Sequence, residues 1–307
     1  MVRETRLGVD QLIYPLFITG NASAKNAIKS LPGQFQLGRK ELLEEVESSL
    51  KLGLGSFVLF PAVPESKKDS VASYSYADDN FYLEAARELK EKFPEIVLMS
   101  DVAMDPYSSD GHDGLVEDGE IVNDNTLPIL SRMAVAQAQA GFDLIGPSDM
   151  MDGRVGHIRR ELDHVGYPNT GILAYTAKYA SAFYGPFRDA LESAPKGGDK
   201  KTYQMDPANS NEALREAFLD EEEGADMLMV KPALCYLDII KLLKDHSNLP
   251  IAAYNVSGEY AMLKAAAANG WLDEEAAMHE MLLSIRRSGA DIILTYFAKD
   301  YAKILSR

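Results

Sequence analysis

Two lysines, Lys178 and Lys231, each stand where a short apolar run ends. The runs are Gly171-Ile172-Leu173-Ala174-Tyr175-Thr176-Ala177 and Met227-Leu228-Met229-Val230. Segments of that length and content read as buried strands. An ammonium at the mouth of such a strand loses hydration, which favours the neutral amine, and a second nearby cation lowers its pKa further. A neutral lysine can attack a carbonyl and form a Schiff base. One such lysine alone would read most simply as a snorkelling side chain with its head in water. Two of them, each in a distinctive setting, point to amine catalysis.

The stretch from Ala177 to Asp189 is dense in aromatics and carries Arg188 near its end, and Lys200 and Lys201 follow downstream. A guanidinium grips a carboxylate with two parallel hydrogen bonds, and a lysine adds a mobile point charge. Arg188 with Lys200 therefore suits the carboxylate of a small acid. Lys201 reads instead as a surface-loop cation paired with neighbouring acids.

Positioning these groups requires a scaffold, and the hydrophobic rhythm supplies one. Strand-like runs occur at residues 12–18, 56–61, 96–101, 142–147, 171–177, 227–231, 250–256 and 291–296. Amphipathic stretches with three- and four-residue apolar spacing lie between them, at 39–52, 80–92, 127–140, 212–223, 237–244 and 274–288. Glycines that suit helix C-termini stand at Gly141, Gly224 and Gly289. Eight alternating units predict a single (β/α)8 barrel spanning residues 1–307. An open doubly wound sheet is the competing arrangement, but Ile18-Thr19-Gly20-Asn21 offers no glycine-rich phosphate turn. In a barrel of this kind, reactive groups gather at the C-terminal ends of the strands. Those ends carry Asp101, Ser148, Asp149, Lys178, Lys231, Ser257 and Tyr296. Asp101 is placed to take or steer protons there, although a strand-end aspartate also serves as a helix cap.

Composition narrows the class. Hydrophobic residues make up 46% of the 307 and charged residues 25%, as expected for a globular chain with a substantial core. The formal net charge of −16 argues against nucleic acid or an anionic membrane as a partner. The single cysteine, Cys235, allows no intrachain disulfide and no thiolate zinc cluster. No leader-like or membrane-length apolar segment is present, so the expected location is the cytoplasm.

Several motifs together resemble the porphobilinogen synthase (5-aminolevulinate dehydratase) family. They are Ser148-Asp149-Met150-Met151-Asp152-Gly153-Arg154, the Lys178 segment through Phe183-Tyr184-Gly185-Pro186-Phe187-Arg188-Asp189, Met229-Val230-Lys231-Pro232, Val256-Ser257-Gly258-Glu259-Tyr260 and Thr295-Tyr296-Phe297-Ala298-Lys299-Asp300. The resemblance runs from about Val2 to the C-terminus. It implies condensation of two 5-aminolevulinate molecules to the pyrrole porphobilinogen with loss of two waters, both substrates being held as Schiff bases. By motif position, Lys231 holds the substrate that supplies the propionate side, with Ser257 and Tyr296 on its carboxylate. Lys178 holds the substrate that supplies the acetate side, with Arg188, Lys200 and Gln204 on its carboxylate. Tyr184 and Phe187 fall within the same substrate-binding motif.

The metal pattern differs from that of zinc-dependent relatives. Their three cysteines correspond here to Ala103, Asp105 and Asp113, so the resemblance implies no catalytic zinc and no cofactor for the chemistry. The oxygen-rich segment suits Mg²⁺ or water. In magnesium-stimulated members a helical glutamate holds an allosteric Mg²⁺ largely through water. Glu216 matches that position, with Asp149 as a candidate outer-shell partner; a solvent-facing acid on its helix is the plain alternative. Relatives also carry an N-terminal arm that builds an octamer. This sequence opens on Met1-Val2-Arg3-Glu4-Thr5 with only a very short arm, so the expected homo-oligomer is a dimer or hexamer. Asn255, where glutamine is expected, keeps the amide and loses one methylene, a change expected to be mild. Two other readings compete with the synthase. A Schiff-base aldolase needs one essential lysine, and a catalytically retired homologue would have lost Lys178, Lys231, Arg188 or Ser257.

Overall fold

The computed structural model describes residues 1–191 and 196–307. Eight strands close into a barrel: β1 (Leu12–Thr19), β2 (Ser56–Ala62), β3 (Val97–Met99), β4 (Leu144–Ile145), β5 (Gly171–Lys178), β6 (Met227–Lys231), β7 (Ile251–Asn255) and β8 (Ile292–Thr295). Each pairs in parallel with its sequence neighbour, and β8 pairs back onto β1 through Leu12↔Ile293 and Ile13↔Leu294. Near-continuous apolar runs are what a parallel sheet covered by helices demands. The expected (β/α)8 barrel is the observed one.

Among the described residues, ten helices surround it: α1 (Arg39–Leu50), α2 (Phe81–Lys92), α3 (Asn123–Ala140), α4 (Arg154–His164), α5 (Gly185–Leu191), α6 (Asn211–Glu223), α7 (Leu237–His246), α8 (Ser257–Ala268), α9 (Glu274–Ser288) and α10 (Ala298–Leu305). Local chemistry explains several ends. The Asn80 side chain accepts from Tyr82 N at 2.9 Å to cap α2, and Gly224 closes α6 with φ of 100°, a conformation costly for any residue with a Cβ.

Two strands are shorter than their apolar runs. Residues 96–101 and 142–147 contribute ladders only at Val97–Met99 and Leu144–Ile145, after which contact continues as an isolated bridge between Val102 and Pro147. These abbreviated strands leave Asp101 and Ser148 on irregular backbone at the barrel mouth, free to aim inward.

Outside the barrel, Lys25–Ala27 pairs with Phe35–Leu37, which extends the sheet beside β1, and residues 116–121 form a small antiparallel hairpin. Aromatic rings fill the barrel beneath its mouth. Phe17 stacks on Tyr296 at 5.8 Å, and Phe60 meets Phe187 edge-on at 5.0 Å and lies 6.4 Å from Tyr254. Such pairs prefer offset or edge-to-face contact and give the pocket a rigid apolar floor.

Candidate active site

Lys178 ends β5 and Lys231 ends β6, and the two are paired in the ladder. Their pairing depends on a register shift. Leu228 lies opposite Ala174, yet Val230 lies opposite Ala177, so β5 contributes one extra residue over this interval. Because side chains alternate between faces, a one-residue slip decides which residues share a face and a level. With regular pairing Lys231 would lie opposite Ala177. The shift sets it beside Lys178.

The two amines have different surroundings. Lys231 Nζ lies over four aromatic rings, at 4.8 Å from Tyr254, 5.1 Å from Tyr175 and 5.2 Å from both Tyr184 and Phe187. It has no carboxylate partner within ion-pair distance among the described residues. Burial, and then the charge of Lys178, lower its pKa from 10.5 to about 7. Lys178 is 5% exposed, donates to the Ser148 carbonyl and faces Asp113 Oδ2 at 3.6 Å. Asp101 is buried close by, and burial raises its carboxyl above the usual value.

The pocket wall over Lys231 is tied to β7. Ser257, the first residue of α8, accepts from Phe187 N at 3.1 Å and donates to Phe183 O at 3.2 Å. A Cβ on Gly258 would lie 2.6 Å from Phe183 O, so the close approach of this wall to α8 needs glycine there. The Tyr184 hydroxyl donates to the carbonyls of Tyr179 and Lys231, at 2.8 and 3.1 Å. Tyr296 shares a hydrogen bond with Tyr254 at 3.0 Å. Lys231, Tyr184, Phe187, Ser257 and Tyr296 thus line one subsite.

The second predicted set divides. Arg188 is half-buried on α5 and has no ion-pair partner among the described residues. Gln204 is buried, and its Oε1 has no hydrogen-bond partner among the described residues. Lys200 does not stand open to a ligand. Its ammonium is buried between two carboxylates, 3.1 Å from Asp105 Oδ2 and 2.9 Å from Asp113 Oδ1. Burial works to raise the Asp113 carboxyl, but Lys178 and Lys200 outweigh it and hold it well below the usual range. Burial wins at Asp105, which rises to about 6 despite Lys200. The segment carrying Lys200 and Gln204 is held further by His112, whose ring meets Tyr203 OH at 3.1 Å and Gly197 O at 2.8 Å.

These contacts bear on the metal question. The ammonium groups of Lys200 and Lys178 already pair with Asp105 and Asp113, so those carboxylates do not fit a divalent ion while the lysines stay there. No group of three or more His, Cys, Asp or Glu side chains is gathered for a metal among the described residues. Glu216 lines a cavity of about 970 Å³ together with Glu120, Asp152, Gln204 and Glu212, and neither Lys178 nor Lys231 lines it. Burial pushes its carboxyl up to about 7. Asp149 does not line that cavity. Fully buried, it accepts from Met151 N at 2.7 Å and lies 3.9 Å from Arg154, which in turn pairs with Asp220 at 3.1 Å.

Sequence reasoning missed Tyr175, Tyr254, the Ser148 carbonyl, and the partnership of Asp105 and Asp113 with Lys200. The tyrosines sit inside apolar strand runs, where they read as core. The acid–lysine cluster joins residues 87 and 95 positions apart, for which local sequence carries no signal.

Together these features define a (β/α)8-barrel enzyme with two adjacent buried amines at its mouth. The family model described as delta-aminolevulinic acid dehydratase matches residues 1–304, and the chain belongs to that family. It is 57% identical over 306 residues to the chloroplastic delta-aminolevulinic acid dehydratase of Physcomitrium patens, covering 99% of this chain and 70% of that one. Against the delta-aminolevulinic acid dehydratase of Halalkalibacterium halodurans it is 50% identical, covering 100% and 93%. A crystal structure of the Toxoplasma gondii enzyme in complex with its product porphobilinogen superposes with a TM-score of 0.97 at 52% identity, covering 99% of this chain and 87% of that one. The activity is that of a hydro-lyase which condenses two 5-aminolevulinate molecules to porphobilinogen in tetrapyrrole biosynthesis.

Proposed function

We propose that the condensation runs through two imines, one on Lys231 and one on Lys178. The observation that carries this reading is the register-shifted pairing of two buried lysines, one of them caged by aromatic rings and shifted to about 7. At neutral pH such an amine is substantially unprotonated and attacks the substrate ketone; the carbinolamine then loses water. The protonated imine withdraws electrons from the adjacent carbon and makes its C–H acidic, as an electron-sink cofactor would. Asp101, buried beside both amines, accepts and returns the proton. Ser257 and Tyr296 receive the carboxylate of the Lys231-bound substrate; Arg188 and Gln204 receive that of the Lys178-bound one. Lys200 reaches the second carboxylate only by sharing itself with Asp105 and Asp113. No metal or organic cofactor is needed for these steps.

Mg²⁺ belongs, in this reading, at Glu216 through bound water. The half-buried carboxylate and its acidic neighbours Asp152 and Glu212 support that placement, and Asp149 takes part only through Arg154. There the ion would steady α6 and leave the bond-making to the lysines. A homo-oligomer is supported by Phe218 and Leu219, exposed side by side on α6. A reducing compartment such as the cytoplasm suits a chain whose one cysteine, Cys235, is exposed and unpaired.

The test is pyrrole formation from 5-aminolevulinate in EDTA and in Mg²⁺, followed by borohydride reduction and peptide mapping. Product in both media, with reduced adducts on Lys231 and Lys178, supports the reading. An active enzyme with an adduct on neither lysine refutes it.

A further inference from the structure

Three successive strand ends, those of β6, β7 and β8, carry Lys231, Ser257 and Tyr296. One buried carboxylate connects them. Glu259 lies in the first turn of α8 and is 1% exposed. Its Oε1 accepts from Leu234 N at 2.8 Å, in the loop that follows Lys231. Its Oε2 accepts from Val256 N at 3.0 Å and from Asn255 Nδ2 at 2.8 Å. The other end of the Asn255 amide, Oδ1, accepts from Thr295 Oγ1 at 2.8 Å, and Thr295 Oγ1 in turn accepts from Phe297 N at 3.1 Å. The line therefore runs from the loop after Lys231, through Glu259 and Asn255, to the two residues flanking Tyr296. Every side chain in it is buried. None of them lines the Lys231 subsite.

Helix propensity does not require this arrangement. An N-terminal carboxylate that only caps α8 would need Val256 N and nothing beyond it. Here Oε1 also holds the segment after β6, and the Asn255 amide joins Glu259 of α8 at one end and Thr295 of β8 at the other. A buried network with its members satisfied fixes geometry more tightly than its separate bonds would. Displacing a substrate-holding group by about 1 Å costs on the order of 100-fold in rate.

We propose that Glu259, acting through Asn255 and Thr295, is a positioning residue that sets Lys231, Ser257 and Tyr296 in register around the first substrate. The inference rests on the imine reading above. It also gives Asn255 a role: its amide spans the gap between Glu259 and Thr295, and the extra methylene of a glutamine would have to enter a fully buried slot. Replacing that asparagine is therefore not a mild change in this chain.

The experiment compares wild type with Glu259→Gln, Thr295→Val and Thr295→Ser. It measures the rate of borohydride-trapped adduct formation on Lys231 and on Lys178 separately, by peptide mass spectrometry, at subsaturating 5-aminolevulinate. Glu259→Gln should slow trapping at Lys231 by roughly 10- to 100-fold. Thr295→Val leaves all the Glu259 bonds in place and should slow it by about 10-fold, with Thr295→Ser restoring it. Trapping at Lys178 should change less than 3-fold in each. Thr295→Val is the arm that stands if Glu259→Gln does not fold. A folded variant that traps at Lys231 at the wild-type rate, or one that slows both lysines equally, overturns the proposal. Wild type that forms no adduct at Lys231 would show that the imine reading had failed instead, and the positioning role would fall with it.

Discussion

Replacing Lys231 by methionine should make the protein more stable at neutral and acid pH while abolishing its activity. The lysine amine is buried, with four rings around it and no carboxylate partner among the described residues. Holding its pKa at about 7 rather than 10.5 corresponds to roughly 4 kcal/mol of folding free energy at pH 7. The sign follows from proton counting: between about 7 and 10.5 the unfolded chain binds the proton and the folded chain does not, so stability rises with pH. The penalty is complete below pH 7 and vanishes above about 10.5. Methionine keeps the apolar stem and removes the charge, and imperfect repacking reduces the net gain to about 1–3 kcal/mol. Urea denaturation at pH 6.5 and at pH 10 measures it, through a higher midpoint at unchanged slope. Lys178→Met is the control. It removes the 3.6 Å contact with Asp113, which keeps Lys200, and should destabilise by about 1–3 kcal/mol, below the cost of an orphaned buried charge. A Lys231→Met protein less stable than wild type at pH 6.5, or one whose advantage persists undiminished at pH 10, would refute the reasoning.

Further outcomes follow from the same geometry. Lys178→Ala and Lys231→Ala should each lower pyrrole formation by at least about 1,000-fold, because each lysine holds a different substrate; an aldolase would survive loss of one, so near-normal turnover in either variant decides against the two-imine scheme. The logarithm of kcat/KM should climb with unit slope below about pH 7 and flatten above it, as Lys231 loses its proton, and a flat profile between pH 5.5 and 7 would contradict this. Arg188→Lys should raise KM by about 10- to 100-fold with a smaller effect on adduct formation at Lys231, since an ammonium cannot reproduce the bidentate grip of a guanidinium; steady-state kinetics with borohydride trapping separates the two effects.

The barrel was readable because parallel strands covered by helices must be largely apolar, and all eight runs are, despite Asp143 within one and Asp291 at the start of another. Less of the helical layer was. Residues 257–268 form α8 directly after β7, but their alanine-rich stretch has no strong apolar stripe, and the short α5 is held by contacts rather than by periodicity. Lys178 and Lys231 stood out because lysine at the end of an apolar run contradicts its surroundings. The shift that brings them level did not, since strand register depends on pairing between segments more than fifty residues apart. The Lys200 cluster was hidden for the same reason. The sequence left open whether Asp105 and Asp113 hold a cation, and the one they hold, the Lys200 ammonium, comes from elsewhere in the chain.

The extra residue in β5 makes its two strands unequal before one class of genetic change. Leu228 to Val230 is two steps along β6, and Ala174 to Ala177 is three along β5. Removing a residue from that β5 interval, Thr176 for instance, would equalise the counts, and a regular ladder would still set Lys178 opposite Lys231. Removing Met229 from β6 would leave one step against three and carry Lys231 out of line with Lys178, although both lysines would remain in the coding sequence. Lineages that keep this chemistry should therefore tolerate a shortened β5 interval but not a shortened β6 one.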